Sequence, residues 1–285
     1  MICVRRKTHF IFGERTGKKM RLADGRDYVF DSLMSDTDNI TYNLFCVIRN
    51  DKSSFIVTDD KYYIYAQNSR RAPHWLFIKE QPDEEAFEEI VALIAGMMKL
   101  NPLLKINGNE TFLRPILNVI SERYGVKYEA ELSMNVYSCT ELKTIEHVGR
   151  MIAPREQHRQ ILTEYVTEMA NDRTGFFMPT EDTEKFVSSL VNSNSLFLWE
   201  NERIVSMAQV AHKNEKYARI NTVFTDAGSR GHGYTRMLIG EITKSLLAEG
   251  LIPVIYADVN DTEVTDAYTA IGYKTYGSIT QFAFN

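Results

Sequence analysis

Apolar and polar positions along this 285-residue chain fall into two successive runs of the same kind. Residues 54–58, 62–66 and 75–79 are apolar over strand-like lengths, and the polar residues 59–61 join the first two, which predicts a three-stranded meander. Pro82 with Asp83, Glu84 and Glu85 then opens a helix to residue 100, carrying Phe87, Ile90, Val91 and Ile94 on one face. A strand at 104–107, a helix at 110–124 and a strand at 127–138 follow. The polar stretch 140–148 ends the first run and predicts a boundary between domains 1–145 and 146–285. Residues 1–40 mix basic side chains with Gly13, Gly17 and Gly25 without periodicity, so no element is assigned there.

The second run starts with a short strand at 151–153. Two helices come next, 155–169 with Ile161, Leu162 and Tyr165 on one face, and 181–191. Strands at 196–200, 203–213 and 217–225 follow, the first two joined through Asn201 and Glu202. A helix over 235–249 sets Tyr234, Leu238, Ile242 and Leu246 at i+4 spacing and stops at Gly250. Strand 253–259, helix 263–270 and strand 276–284 complete it. Three strands, then helix, strand, helix, strand, is the order in both halves, and it points to a duplication of one α/β unit with a mixed, mostly antiparallel sheet flanked by helices.

Composition narrows the function without choosing it. Apolar residues at 44% and charged residues at 25% are ordinary for a globular protein. No run approaches the roughly 18 apolar residues of a membrane span, and Phe10, Ile11 and Phe12 make no signal-peptide core, so a cytoplasmic protein without a membrane partner is expected. Cys3, Cys46 and Cys139 lack CxxC or Cys/His spacing, so neither a disulfide nor a metal is expected. A formal charge of -5 argues against a nucleic-acid partner and is compatible with cationic amine substrates. The aromatic and basic residues Tyr62, Tyr63, Tyr65, Arg70, Arg71, His74 and Trp75 fit either base stacking or an ordinary strand surface.

Chemistry concentrates in Thr225-Asp226-Ala227-Gly228-Ser229-Arg230-Gly231-His232-Gly233-Tyr234-Thr235, between a β-branched strand and an amphipathic helix. The first turn of a helix offers unpaired N–H groups and the positive end of its dipole, which bind phosphate oxygens where the backbone can come close. Gly231 and Gly233 remove the side chains that would block that approach. A phosphate loop of the Walker type needs Lys-Ser/Thr after its last glycine, whereas Tyr234-Thr235 follows Gly233. A dinucleotide fingerprint needs a further glycine at position 236, which is Arg236.

What remains resembles the GNAT N-acetyltransferase signature, Arg/Gln-x-x-Gly-x-Gly/Ala, as Arg230 to Thr235, with Thr235 replacing the final small residue and predicted to tighten the helix against the strand. The closing tyrosine helix and Gly-aromatic pair of that family are matched by Tyr268-Thr269-Ala270-Ile271-Gly272-Tyr273. The resemblance covers about residues 149–285 and implies a two-domain member with a divergent N-terminal half, hence two GNAT-like domains in tandem. It implies acetyl-CoA as cosubstrate, with the pyrophosphate on residues 226–235. It also implies a fourth strand splayed from the fifth, freeing backbone near Asn221 to Phe224 for the pantetheine arm and the thioester carbonyl. Val223, Phe224, Thr225, Arg230, Gly231, His232, Gly233, Tyr234, Thr235 and Asp261 are thereby the implied coenzyme contacts; Asp261 stands where the family often has Asn.

Tyr268 is the implied general acid. Phenols ordinarily titrate near ~10 and thiols near ~8.5, so a tyrosine stays protonated at neutral pH and can donate to a departing thiolate. Its rival role is that of a packed aromatic. For the general base, His212, Glu200, Glu202 and Asp258 stay open. The activity implied is acetyl transfer to a primary amine of a small molecule or protein; the alternatives are an aminoacyl-tRNA dependent peptidyltransferase-like enzyme and a non-catalytic coenzyme A module. The matching N-terminal loop, residues 79–85, has no glycine, loses one N–H at Pro82 and carries three acids, so one donor site per chain is expected.

Overall fold

The computed structural model describes residues 20–69, 72–172 and 180–285. They form two compact units, one of residues up to Val136 together with Tyr276–Asn285, the other Tyr137–Thr275. The first unit begins with β1 (Arg21–Ala23) and three short helices, α1 (Val29–Leu33), α2 (Asp36–Thr41) and α3 (Phe45–Asn50). These helices fall where the sequence shows no sustained periodicity, and at five or six residues each they are too short to show one. One local signal is present, a capping box in which Ser35 and Asp38 satisfy each other's backbone N–H groups. The meander is β2 (Phe55–Thr58), β3 (Tyr63–Gln67) and β4 (His74–Ile78), followed by α4 (Glu84–Leu100), β5 (Lys105–Gly108), α5 (Glu110–Tyr124) and β6 (Tyr128–Ser138).

Helices α4 and α5 bury Ile90, Ile94, Leu113 and Leu117 against strand residues such as Tyr63, Tyr65 and Ile106. Tyr42 and Phe45 pack against Trp75, and Tyr42 also meets Phe77. Tyr62, Tyr63, Tyr65, His74 and Trp75 are therefore buried core residues and offer no stacking platform. Arg70 and Arg71 lie outside the described residues.

The second unit runs β7 (Arg150–Ile152), a 3-10 turn, α6 (Arg159–Asp172), α7 (Thr180–Asn192), β8 (Leu196–Asn201), β9 (Arg203–Lys213), β10 (Tyr217–Thr225), α8 (Tyr234–Ala248), β11 (Ile252–Asp258) and α9 (Thr262–Ala270). Strand alternation sorts its core into two faces. Leu196, Leu198 and Met207 pack with Leu162, Val166 and Leu190 of α6 and α7, while Ala208, Val210 and Ile220 pack with Leu238, Ile242 and Leu246 of α8. Gly250 ends α8 with φ +77°, and Leu251 N–H returns to the Leu246 carbonyl at 2.9 Å.

The last strand is β12 (Lys274–Phe284). Its position predicts that it closes the second domain. Instead Thr280 to Ala283 pair antiparallel with Gly108 to Lys105 of β5, and Phe282 and Phe284 join the first unit's core. Residues 276–285 thus belong to the first compact unit, and the second runs from Tyr137 to Thr275.

Candidate functional site

In the second unit β10 pairs in parallel with β11 from Tyr217–Ile252 to Ile220–Ile255, and the register stops there although both strands continue. On its other edge β10 stays with β9, but with a bulge: Asn221 faces Gln209 and Phe224 faces Met207, so Thr222 and Val223 oppose Ala208 alone. Thr222 has φ +51°, a left-handed backbone that is rare for a β-branched residue and costs on the order of 1–3 kcal/mol. Backbone of residues 221–225 is thereby turned out of the β10–β11 ladder, which is the splay the sequence resemblance implies.

Beyond β10 the chain makes a 3-10 turn, Ala227–Ser229, and enters α8 through two left-handed glycines, Gly231 at φ +79° and Gly233 at φ +78°. A Cβ at Gly231 would meet no protein atom within 4 Å, and one at Gly233 would meet only the end of the Arg236 side chain. Both glycines answer to backbone conformation, and the space in front of Gly231 is open. Gly233 is the N-cap of α8 and supplies no side-chain cap, and the first turn holds no acid.

The loop is braced from outside. Arg203 donates to Asp226 and, at 3.0 Å, to Ser229, while Ser229 donates to Asp226 at 2.9 Å. Arg230 donates from Nε to the Thr225 carbonyl at 3.2 Å with its guanidinium 5.8 Å from the Phe224 ring. His232 stacks on Tyr234 at 5.7 Å, and the Tyr234 hydroxyl accepts from Asn201 at 2.7 Å. Thr235 contributes what its departure from the motif predicts: its hydroxyl lies 2.7 Å from that of Thr225, whose own partner at 2.9 Å is Ser206.

A strand that leaves its parallel neighbour and ends in an uncapped, glycine-entered helix start is the setting for an elongated ligand with an anionic end. Residues 158–273 match the model of the acetyltransferase (GNAT) family. This chain carries a GNAT domain. No curated protein sequence matches the chain. Among solved structures it resembles a GNAT-family acetyltransferase from Colwellia psychrerythraea, 13% identical, covering 94% of this chain and 100% of the other at a TM-score of 0.56. A GCN5-related N-acetyltransferase from Sphaerobacter thermophilus is 11% identical over 94% and 96% of the two chains at 0.59. A Drosophila protein is 11% identical over 94% and 99% at 0.62. At such identities the likeness shows the fold, and it shows it over nearly the whole chain, consistent with two GNAT-like units in tandem.

Within the GNAT domain the remaining predicted residues find these places. Tyr268, on α9, is 2% exposed, with the rings of Tyr137 and Tyr273 at 6.0 and 5.8 Å. Asp261 accepts the Val264 N–H at 3.0 Å and so caps α9 with the carboxylate that the resemblance assigns to the coenzyme. Val223 packs against the α8 side of the core and Phe224 against Tyr165 on the other side.

Among the base candidates, Glu200 pairs with Arg150 at 2.7 Å and Glu202 turns the β8–β9 hairpin at φ +63°. Asp258 ends β11 and accepts from Asn260. Burial, with the charge of Arg219 opposite, pushes His212 down to about 4. Its strand partner Arg219 lies four residues, roughly 13 Å of strand, from Val223. His212 borders a cavity of about 290 Å³ at the far end of α8, shared with Phe197, Ile242 and Leu246, away from the glycine loop. The sequence reading passed over Arg203, Ser206, Gln209 and Thr222, polar or β-branched residues within strands that carry no motif.

Proposed function

We propose that the protein transfers an acetyl group from acetyl-CoA to a primary amine of a small molecule or a protein. One observation carries this reading: α8 opens without a cap, through Gly231 and Gly233, at the end of the strand that has left β11. The residues fit the donor. The first-turn N–H groups of α8 and the Arg230 charge face a pyrophosphate placed on residues 230–235, and the glycines let it approach. The pantetheine arm lies along residues 221–225 as an added strand would.

In the transfer, the neutral amine nitrogen bonds to the carbonyl carbon, the carbon–sulfur bond breaks, and the amine proton leaves to a base. Backbone N–H groups turned out at the bulge stabilise the oxygen that gains charge. Tyr268 gives its proton to the departing sulfur. The acceptor is set by residues outside the motif, so a panel of a polyamine, an aminoglycoside, free amino acids and a lysine peptide is assayed with acetyl-CoA for released thiol. Turnover with one class identifies it. Tight acetyl-CoA binding with no turnover on any amine would leave a coenzyme-binding module in place of an enzyme.

A further inference from the structure

Strand β10 changes course at a residue whose chemistry opposes the change. A threonine branched at Cβ prefers the extended strand, yet Thr222 is left-handed at φ +51° and only 8% exposed. Its hydroxyl lies 3.2 Å from Gln209 Oε1 and 3.0 Å from Asn221 Oδ1. Gln209 Nε2 donates to Ser195 Oγ at 3.2 Å. The Ser195 and Ser193 hydroxyls are 2.8 Å apart, and Ser193 donates to the Leu190 carbonyl in the last turn of α7 at 2.9 Å.

With the carboxamide nitrogen on Ser195, the hydrogens have one consistent direction. Gln209 gives to Ser195, Ser195 to Ser193, and Ser193 to the helix, so Gln209 Oε1 faces the bulge as an acceptor, and the single Thr222 hydroxyl proton is shared between it and Asn221 Oδ1. The chain of donors starts at the strained residue and ends on the carbonyl of a helix, a rigid anchor.

We propose that Thr222 is a positioning residue of the acyl-transfer site, held in its left-handed conformation by Gln209 and, through Ser195 and Ser193, by the end of α7. The proposal rests on the reading that residues 221–225 receive the thioester. The dihedrals of Thr222 set the direction of the next peptide group, and with it the aim of the Val223 N–H. Without the hydroxyl, a β-branched side chain draws residue 222 back to the extended form. A glycine adopts the left-handed form with no lock at all.

The test compares Thr222→Val, Thr222→Gly and Gln209→Leu, reading kcat by thiol release from acetyl-CoA and acetyl-CoA affinity by calorimetry. Thr222→Val and Gln209→Leu are expected to lower kcat by ~10–100-fold, the scale of a small misalignment, with affinity within about threefold because residues 230–235 are untouched. Thr222→Gly, which adopts the left-handed form without strain, is expected to lower kcat clearly less than Thr222→Val, and adding Gln209→Leu to it is expected to lower kcat no further, since the lock has no strain left to hold. Wild-type turnover in Thr222→Val, or a loss in Thr222→Gly as large as in Thr222→Val, would overturn the proposal. Crystal structures separate it from the functional reading: residue 222 should return to negative φ in the valine variant, and an unchanged bulge there would refute the lock even if the wild type transfers nothing.

Discussion

The two units start the helix after their fourth strand in opposite ways. In the first, Asp83 caps α4 by accepting the Ala86 N–H at 3.0 Å, Glu84 and Glu85 fill the first turn, and Tyr62 donates to Asp83 at 3.0 Å. The positive helix end is satisfied by the chain's own carboxylates. In the second, α8 opens on Gly233 with no cap and no acid, and Arg236 stands in the first turn. A second difference lies four residues before the glycine that follows each unit's last helix, α5 in the first and α9 in the second. Ser121 precedes Gly125 and donates to the Val126 carbonyl at 2.7 Å, whereas Tyr268 precedes Gly272. The second unit leaves out the cap and the acids that satisfy the helix start in the first.

Four measurements sharpen or break this contrast. The largest effect is expected from Tyr268→Phe, which should lower turnover by ~10²–10⁴-fold and spare acetyl-CoA affinity. Turnover near wild type would leave Tyr268 a packed aromatic between Tyr137 and Tyr273.

Next comes the pH response of the first unit. His74, 3% exposed and 2.7 Å from the Tyr65 hydroxyl, is pushed down to about 4 by burial. Because the unfolded chain binds that proton near pH ~6.5, the stabilisation is present above that pH and is lost as pH falls towards 4, up to ~3 kcal/mol. Denaturant unfolding from pH 7 to 4.5 should show the loss, and His74→Gln, which can still accept from Tyr65, should make it shallower, leaving the part that His212 contributes. An equally steep slope in that variant would exclude His74 as its source.

Gly233→Val is expected to weaken acetyl-CoA binding by at least tenfold, or ~1.4 kcal/mol, since valine resists the left-handed backbone. Calorimetry on the folded variant decides it, and the wild type should titrate with one site per chain. A second site that survives the lesion would place donor binding in the first unit as well. The smallest effect belongs to Asp83→Ala, which should cost ~1 kcal/mol of stability by removing the cap. It should create no coenzyme site, because Pro82 and the acids remain; a gain of acetyl-CoA binding would mean the cap alone keeps that helix from an anion.

The reach of the sequence reading follows from what each feature depends on. Strands 203–213 and 217–225 and helix 110–124 were legible to the residue because their periodicity and end residues are local. The loop at 226–235 was legible for the same reason, since glycine's backbone freedom and a helix start are properties of neighbours in the chain. The Thr235 hydroxyl, at the start of α8, meets that of Thr225 at the end of β10. Asp261 was carried over as a coenzyme contact, while its carboxylate caps α9, a role that its position just ahead of Thr262–Ala270 could have signalled.

By itself, then, the sequence determined the order of elements from residue 54 onward, the place of the glycine turn ahead of α8 and the likeness to GNAT enzymes. The tertiary structure alone decided that β12 pairs with β5, that Tyr62, Tyr63, Tyr65, His74 and Trp75 fill a core, and that β10 bulges at Thr222 once its pairing with β11 has ended. Periodicity reports which face of a strand is apolar but not which strand lies beside it, and a bulge depends on partners such as Gln209 and Ser195, 13 and 27 residues away in the chain.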